Sequence, residues 1–173
     1  MITAKPNELE LLKFWQESDP TAGIKINFPI DAQTGAASTA AVYFELDPEQ
    51  HIGRHTHSAK EILFVLEGEA EAVVGDERGR LSKEEMAVVP ANVPHDLYNV
   101  GEGTLRVVGF FSSAAVVTIF DDPLALRKVR AWLEPYVMLM RYWRAFSDLP
   151  PPAELKALLE WVFVGKGLYL YAR

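Results

Sequence analysis

Short runs of apolar residues, several of them alternating with polar ones, follow one another along the chain from residue 38 to residue 121. Turns that contain Gly or Pro separate these runs, and Val, Ile, Leu and Phe are frequent within them. This pattern is typical of short β-strands in an antiparallel sandwich or jelly-roll barrel. It predicts a mainly β fold with strands at residues 40–46, 53–57, 61–67, 69–74, 86–89, 95–100, 104–111 and 115–120.

The run at residues 69–74 indicates which side of the predicted barrel faces inward. Glu69 and Glu71 alternate with Ala70 and Ala72, and successive side chains of a strand point to opposite faces. Because the charged residues favour solvent, the small residues are expected to line the interior. Small side chains inside the barrel leave room for a bound ligand.

The N-terminal region carries a helix signal. Asn7 followed by Glu10 is typical of a helix cap with its reciprocal partner, and it predicts a short helix that continues through Glu17. Within a stretch rich in Pro and Gly at residues 19–35, residues 24–28 are expected to lie as an extended segment against the edge of the barrel.

Beyond residue 121 the apolar residues recur at three- and four-residue steps, which is the spacing of amphipathic helices. Three consecutive prolines at 150–152 divide this region, and residues 168–171 fit either a final strand or a docking arm. We therefore predict a helix and barrel-edge segment at residues 1–37, a barrel at 38–121 and an α-helical C-terminal extension at 122–173.

Three of the four histidines and one glutamate stand at spacings that a metal ion can use. His55, His57 and Glu61 have the same parity, so in a strand their side chains share one face. On a helix, residues two apart are separated by about 200° and could not converge on one ion. His95 follows a turn with two prolines, which can deliver it to the same site. These residues predict a site for one divalent metal ion, which could be Fe, Mn, Ni, Cu or Zn.

The same residues resemble the two sequence motifs of the cupin superfamily. The positions that match the motifs in register are His55, His57, Glu61, Gly68, Pro90, His95 and Asn99. The positions where the family pattern has glycine and this chain has another residue are Glu49, Glu84 and Asn92. The resemblance implies a cupin barrel, a double-stranded β-helix, in which all four metal-ligand positions are intact.

The resemblance also implies that the chain acts on a small organic molecule, and a dioxygenase-type oxidoreductase is the first expectation. As in similar cupin dioxygenases, Glu61 would be either a permanent metal ligand or a catalytic base. A non-catalytic small-molecule sensor or binding module is one alternative, and a metal-dependent sugar isomerase or epimerase is another. Sugar enzymes commonly need several inward Lys, Arg or Tyr side chains, and the strands nearest the motifs contain few.

Parity places further residues beside the expected metal ligands. Leu63, Val65, Leu97 and Asn99 share the face of the ligands and are predicted to line the pocket, although the Asn of the family motif is usually structural. His51 has the same parity as His55, but the preceding Asp-Pro-Glu-Gln is typical of a turn. We therefore expect His51 to be a solvent-facing loop residue rather than a group at the mouth of the site.

Composition and charge narrow the choice of partners. The 173-residue chain has no cysteine, so nitrogen and oxygen atoms must hold any metal, and its formal net charge is −7. Residues 1–123 carry 9 Lys and Arg against 20 Asp and Glu, whereas residues 124–173 carry 8 against 4. An acidic barrel argues against nucleic acid as a partner, and no apolar stretch is typical of a secretion signal or a membrane span.

From these features we expect a cytoplasmic homodimer that binds a small-molecule ligand or substrate. The basic, aromatic C-terminal extension has several interpretations. It could pack against the acidic barrel as ordinary amphipathic helices, form the dimer contact, cover an open end of the barrel as a lid, or bind an acidic partner.

Overall fold

The fold is known from a computed structural model, which describes residues 3–16, 18–122, 124–126 and 169–172, the last two ranges as backbone only. Within these ranges thirteen β-strands form two sheets. In spatial order, the first sheet consists of β12 (Leu124–Leu126), β1 (Leu12–Gln16), β2 (Gly23–Ile30), β3 (Ala40–Leu46), β10 (Leu105–Phe111), β5 (Glu61–Glu67) and β8 (Met86–Val89). The second consists of β13 (Tyr169–Ala172), β11 (Val117–Phe120), β4 (His55–His57), β9 (His95–Asn99), β6 (Glu69–Val74) and β7 (Glu77–Ser82).

From β3 to β11 the chain alternates repeatedly between the two sheets, as expected for a jelly-roll barrel. Neighbouring strands are antiparallel, with the exception of β11 and β13, which run parallel. Inward-facing side chains of both sheets, among them Val42, Leu63, Ala72 and Leu97, form one buried core. Ala70 and Ala72 are buried whereas Glu69 is exposed, so the interior face of β6 is the one that the sequence predicts.

The predicted N-terminal helix through Glu17 is wrong. Its first residues form a single turn of 3-10 helix at Pro6–Glu8, and Leu12–Gln16 is strand β1. β1 pairs with β2 on one side and β12 on the other, and it buries Phe14 and Gln16 with the two-residue period of a strand. Sheet pairing on both sides therefore overrides a local helix signal.

Two further strands extend the barrel beyond the sequence prediction. Strand β7 carries several charged, exposed residues and has no apolar alternation, so its sequence gives little sign of a strand. It forms because Gly75 and Asp76 make a two-residue turn, with Val74 opposite Glu77, and the hairpin continues the ladder of β6. Strand β2 extends the segment expected at the barrel edge and pairs with β3.

The tail at residues 169–172 is a strand, one of the two interpretations of its sequence. The prediction of a helical C-terminal extension from residue 122 is wrong at its start, because Leu124–Leu126 form strand β12 and pair with β1. The rest of that prediction falls at residues 127–168, which lie outside the described residues. No helix in the described part of the chain has the length and apolar character needed to cross a bilayer.

Candidate metal centre

Three histidines meet on the inner face of the second sheet. His55 and His57 lie on β4, two residues apart on the same face, and His95 lies directly opposite His55 at the start of β9. All three side chains are buried. One ring nitrogen from each lies within 4.8 Å of those of the other two. The structure therefore brings together the three histidines that the sequence predicts as metal ligands.

The outer ring nitrogen of each histidine, Nδ1, forms a hydrogen bond with the surrounding chain. His55 Nδ1–H donates to the Gly53 carbonyl at 2.6 Å, and His95 Nδ1–H donates to the Val93 carbonyl at 2.8 Å. His57 Nδ1 lies 2.9 Å from the Thr118 hydroxyl. Because a carbonyl can only accept, His55 and His95 each present an unprotonated Nε2 in their neutral form. Such outer hydrogen bonds fix the orientation of metal-binding histidines.

The inner nitrogens have the spacing of ligands to one ion. His55 Nε2 and His57 Nε2 are 3.2 Å apart, and bonds of 2.0–2.2 Å at angles between octahedral and tetrahedral would separate two ligands by about 2.8–3.6 Å. His95 Nε2 is buried without a hydrogen-bond partner among the described residues. A buried polar atom without a partner calls for an explanation, and a metal ion would supply one.

Glu61 completes the group from the opposite sheet. It begins strand β5, and its buried Oε2 lies 3.4 Å from His57 Nε2 and 3.9 Å from His95 Nε2. The first distance has the spacing of neighbouring ligands and the second is slightly longer. The residues present thus fit a divalent cation with three imidazoles and one carboxylate, a donor set suited to first-row transition metals.

The pKa values of His55 and His95 are lowered, which favours the unprotonated form that binds a cation. Burial lowers the pKa of His55 well below its usual value, and the neighbouring His95 and His57 add to the effect. Burial also lowers the pKa of His95, with His57 as a further cause. Both rings are therefore neutral at pH 7, which is the form that coordinates metal.

An apolar cavity lies against this group. The space that the centres of water molecules can reach is about 60 Å³, several times what one water needs, so a small organic molecule could enter. The polar residues of its wall are His55, His57, Glu61, His95, Asp96 and Thr118. The apolar residues are Phe14, Ile24, Ile26, Phe28, Val42, Phe44, Ile52, Leu63, Ala72, Val74, Val89, Leu97, Phe111, Val116 and Phe120.

Of the four residues predicted to line the pocket, Leu63 and Leu97 do so, and Val65 and Asn99 do not. Leu63 and Leu97 each lie two positions beyond a residue of the metal site, about 7 Å along the strand. Val65 and Asn99 each lie four positions beyond it, about 13 Å along the strand. Val65 is fully buried in the core. The Asn99 amide donates to the carbonyls of Leu46 and Gly103, which is a structural role.

His51 does not face solvent as expected. Its Nδ1–H donates to Asp96 Oδ2 at 2.7 Å, its Nε2–H donates to Asp19 Oδ2 at 3.1 Å, and its ring stacks on Tyr98 at 4.7 Å between centroids. The other oxygen of Asp96 accepts the backbone N–H of Gly53 at 3.0 Å. His51 thus lies behind the site and supports the segment whose carbonyl orients His55.

Two residues important to the site were not predicted from the sequence. Thr118 of β11 faces His57 across the sheet, but a lone Thr in an apolar strand gives no signal of its own. Gly109 of β10 gives one, because an isolated Gly inside a strand often marks a close approach. A Cβ at Gly109 would collide with the Glu61 carboxylate.

Comparison with known proteins agrees with this architecture. Residues 42–111 match the family model described as Cupin domain. Among curated proteins, none matches the chain in sequence. The polyketide cyclase RemF from Streptomyces resistomycificus is 18% identical with a TM-score of 0.55, and the match covers 82% of this chain and 96% of that one.

Two oxalate decarboxylase structures share the fold as well. A predicted oxalate decarboxylase from Thermotoga maritima is 13% identical with a TM-score of 0.58, and the match covers 64% of this chain and 98% of that one. The Lactobacillus farciminis oxalate decarboxylase formate complex is 17% identical with a TM-score of 0.55. The match covers 87% of this chain but only 41% of the decarboxylase, so this chain spans about two fifths of its length. At these identities the likeness shows the fold alone.

The family match spans β3 to β10, which include all three histidines and Glu61. The two sheets have the antiparallel arrangement of the cupin barrel. Residues 42–111 of this chain therefore match the cupin family, and the described strands around them form a cupin barrel.

Proposed function

We propose that the chain is a metal-dependent oxidoreductase of the dioxygenase type that acts on a small organic molecule. The observation that carries the proposal is the convergence of His55, His57, His95 and Glu61 on one wall of an apolar cavity. When bound there, a divalent transition metal would supply an electrophilic centre that can bind oxygen atoms of a substrate or of dioxygen.

The chain's own residues support this activity in three ways. The histidines extend from one sheet and Glu61 from the other, and all four line the cavity, so a substrate in the cavity would lie beside them. The described wall of the cavity is mostly apolar, which limits the water around a bound substrate. Phe120 stacks on His55 at 4.8 Å between ring centroids, and Phe111 contacts the His57 ring edge-on at 4.9 Å.

Glu61 is the candidate proton acceptor of the site. Its carboxylate is buried, and its Oε2 faces both His57 and His95. A substrate bound in the cavity could transfer an acidic O–H or C–H proton to this oxygen, because no other carboxylate among the described residues lies among the histidine nitrogens. Glu61 would therefore act as a base, as a ligand or as both in turn.

The test uses the full chain loaded in separate samples with iron(II), manganese(II), nickel(II), copper(II) or zinc(II). We expect one metal ion per chain, and dioxygen consumption with neutral phenols or β-diketones in at least one redox-active form. The zinc form should consume no dioxygen, because zinc has no redox chemistry. His95→Ala should lose metal and dioxygen consumption, whereas Lys83→Gln, an exposed change far from the cavity, should retain both.

Failure to take up any of the five metals stoichiometrically would contradict the proposal. Stoichiometric metal with ligand binding but no dioxygen consumption in any form would favour the non-catalytic binding module instead.

A further inference from the structure

We infer that the molecule that fills this cavity is electrically neutral away from the metal centre and carries no carboxylate or phosphate there. This inference rests on the proposed function for the end of the molecule that meets the metal. It concerns the rest of the molecule, which contacts the apolar wall. The observation behind it is the charge of that wall, because no described residue that lines the cavity is Lys or Arg.

None of the Lys and Arg side chains of the described barrel lines the cavity. Several form ion pairs with carboxylates on the outside of the barrel. These pairs are Lys25 with Asp47 at 2.6 Å, Arg54 with Asp121 at 3.3 Å, Arg78 with Glu71 at 2.7 Å and Arg106 with Glu67 at 2.7 Å. Lys25 lies on β2 between two wall residues, but a strand alternates its faces, so its ammonium is directed away from the cavity.

Apart from a bound metal ion, the charged side chains of the described wall are carboxylates. Glu61 and Asp96 are buried carboxylates of the wall, and histidine coordinates a metal in its neutral form, so the ligand rings supply no cation. A second anionic group on the bound molecule, away from the metal, would lose its hydration without gaining a cation from the described wall. Such a group would weaken binding.

The described part of the wall also contains none of the other groups with which proteins commonly bind anions. Phosphate and carboxylate groups are commonly held by helix N-termini or by Arg forks. The described wall residues lie on strands or the turns between them, and none of them belongs to a helix. The Thr118 hydroxyl lies 2.9 Å from His57 Nδ1 and is already engaged there.

These observations define a chemical class of ligand. It has one or two oxygen atoms at the end that reaches the metal, and an apolar, uncharged body of aliphatic or aromatic carbon. Sugar phosphates and dicarboxylates fall outside this class, whereas neutral diketones, enols and phenols fall within it.

A matched pair of ligands tests the inference. Both are linear β-diketones, which chelate a divalent metal through their enol form. One ends in an isopropyl group and the other in a carboxylate of similar shape, several bonds from the diketone. Binding to the zinc-loaded full chain is measured by isothermal titration calorimetry, because zinc permits no oxidation of the ligand. We expect the isopropyl compound to bind at least about tenfold more tightly, since the carboxylate must be desolvated.

A charge introduced into the wall separates electrostatics from shape. Ile26 is a half-buried wall residue on β2, and a Lys there can bury its stem and keep its ammonium at the cavity. Ile26→Lys should reduce or reverse the preference, whereas Ile26→Met, of similar length and uncharged, should retain it. Zinc content and thermal unfolding of both variants establish that the site is intact.

Equal or tighter binding of the carboxylate compound by the wild-type chain would overturn the inference. Absence of binding by both compounds would also overturn it, because a neutral apolar molecule would then have no place in the cavity. A preference unchanged in Ile26→Lys would assign the discrimination to shape and overturn the electrostatic argument. The dioxygen assay of the proposed function is independent, since an active enzyme that prefers anionic substrates would refute this inference alone.

Discussion

The carboxylate of Glu61 occupies the space where a side chain at Gly109 would begin. The two residues lie on the neighbouring strands β5 and β10. A Cβ placed on Gly109 would overlap Glu61 Oε1 and would stand 2.7 Å from Cγ1 of Val42. Gly109 therefore allows the carboxylate to lie against the backbone of β10 while its other oxygen faces His57 and His95.

Replacement of Gly109 by Ala should damage the site and the fold together. The new methyl group would displace the Glu61 carboxylate, and overpacking of this kind costs about 1–3 kcal/mol in the free energy of unfolding. We expect zinc affinity to fall as well, because the displaced carboxylate loses its position beside His57. Urea denaturation and competitive zinc titration measure the two effects.

Two variants provide the controls for this prediction. Gly79→Ala, on the exposed strand β7 with no atom within 4 Å of the new Cβ, should leave both quantities nearly unchanged. Gly109→Ala combined with Glu61→Ala should recover part of the stability but none of the zinc affinity. A Gly109→Ala chain with wild-type zinc affinity would show that Glu61 does not need this space.

Among the described residues, three that are not glycine have a positive φ, and they stand where the cupin pattern has glycine. The φ angles are 65° at Glu49, 70° at Glu84 and 60° at Asn92. The chain thus keeps the left-handed turns of the motifs without the residue that adopts them most easily. Asn tolerates this conformation, whereas Glu is strained in it by about 1–2 kcal/mol.

Relief of this strain should stabilise the protein. Glu84 is exposed in the turn before β8, so Glu84→Asn removes little beyond the strain itself. We expect the free energy of unfolding to rise by about 0.5–1 kcal/mol, as measured by urea denaturation. Lys83→Asn, at an exposed neighbour whose φ is not positive, should not stabilise the chain. A fall in stability with Glu84→Asn would mean that the Glu side chain makes a favourable contact.

The barrel could be predicted from the sequence because its signals are local. The bounds of β3, β5, β6 and β8 agree with the sequence prediction, since alternation and flanking turns lie within each strand. Strand β1 could not be predicted in this way. Its partners β2 and β12 are brought to it by the fold, and the short helix signal at its start is too weak to compete.

The metal ligands could be predicted for the same reason, and their surroundings only in part. The parity of His55, His57 and Glu61 is a local property of the chain. Thr118 and Gly109 become important only because β11 and β10 pair beside these residues. Parity alone also gives no limit on distance along a strand, which is why it included Val65 in the pocket wall.

The hydroxyl of Thr118 should influence metal affinity without touching the metal. It lies 2.9 Å from His57 Nδ1 and holds the ring so that Nε2 faces the site. Thr118→Val keeps the shape of the side chain and removes the hydroxyl, so we expect zinc affinity to fall by about 10- to 100-fold. Competitive zinc titration measures this fall.

A matched control for Thr118→Val is available on strand β4. Thr56→Val changes the same residue type between the two histidines, where the side chain points to the opposite face, and it should leave zinc affinity unchanged. Equal losses in both variants would trace the effect to the sheet rather than to His57.

Acid should destabilise the metal-free protein. The folded chain holds the pKa of His55 and of His95 below the usual 6.5, so below that pH the unfolded chain binds protons that the folded chain does not. The contribution of these two histidines to the free energy of unfolding is therefore complete above about pH 6.5. It falls as the pH drops toward the pKa values of the folded chain. The free energy of unfolding changes by at most about 1.4 kcal/mol per pH unit for each histidine.

Urea denaturation of chelator-treated protein over this pH range measures the slope. His95→Asn should reduce it, because one of the two depressed histidines is removed. An equal slope in wild type and variant would assign acid sensitivity to other groups. Saturating zinc should oppose the loss at a given pH, since the metal binds the folded chain and competes with protons.

His51 should give the opposite pH dependence. The hydrogen bond to Asp96 raises its pKa above 6.5 against the effect of burial, and the contact with Asp19 adds to the rise. The stabilisation from a raised pKa is complete below about pH 6.5 and is lost as the pH rises through the folded value. His51→Gln retains a polar group but cannot be protonated. The stability advantage of wild type over this variant should therefore be largest in mild acid and shrink as the pH rises.

Urea denaturation of both chains at several pH values on either side of 6.5 checks this prediction. The carboxylates of Asp19 and Asp96 face His51, and Tyr98 stacks on it. The hydrogen bonds from Thr21 are the main reason that the pKa of Asp19 is lowered to about 2. Asp19 therefore stays ionised at all of these pH values and adds no pH dependence to the free energy of unfolding. An advantage independent of pH would mean that His51 stabilises the turn by packing on Tyr98 rather than by its charge.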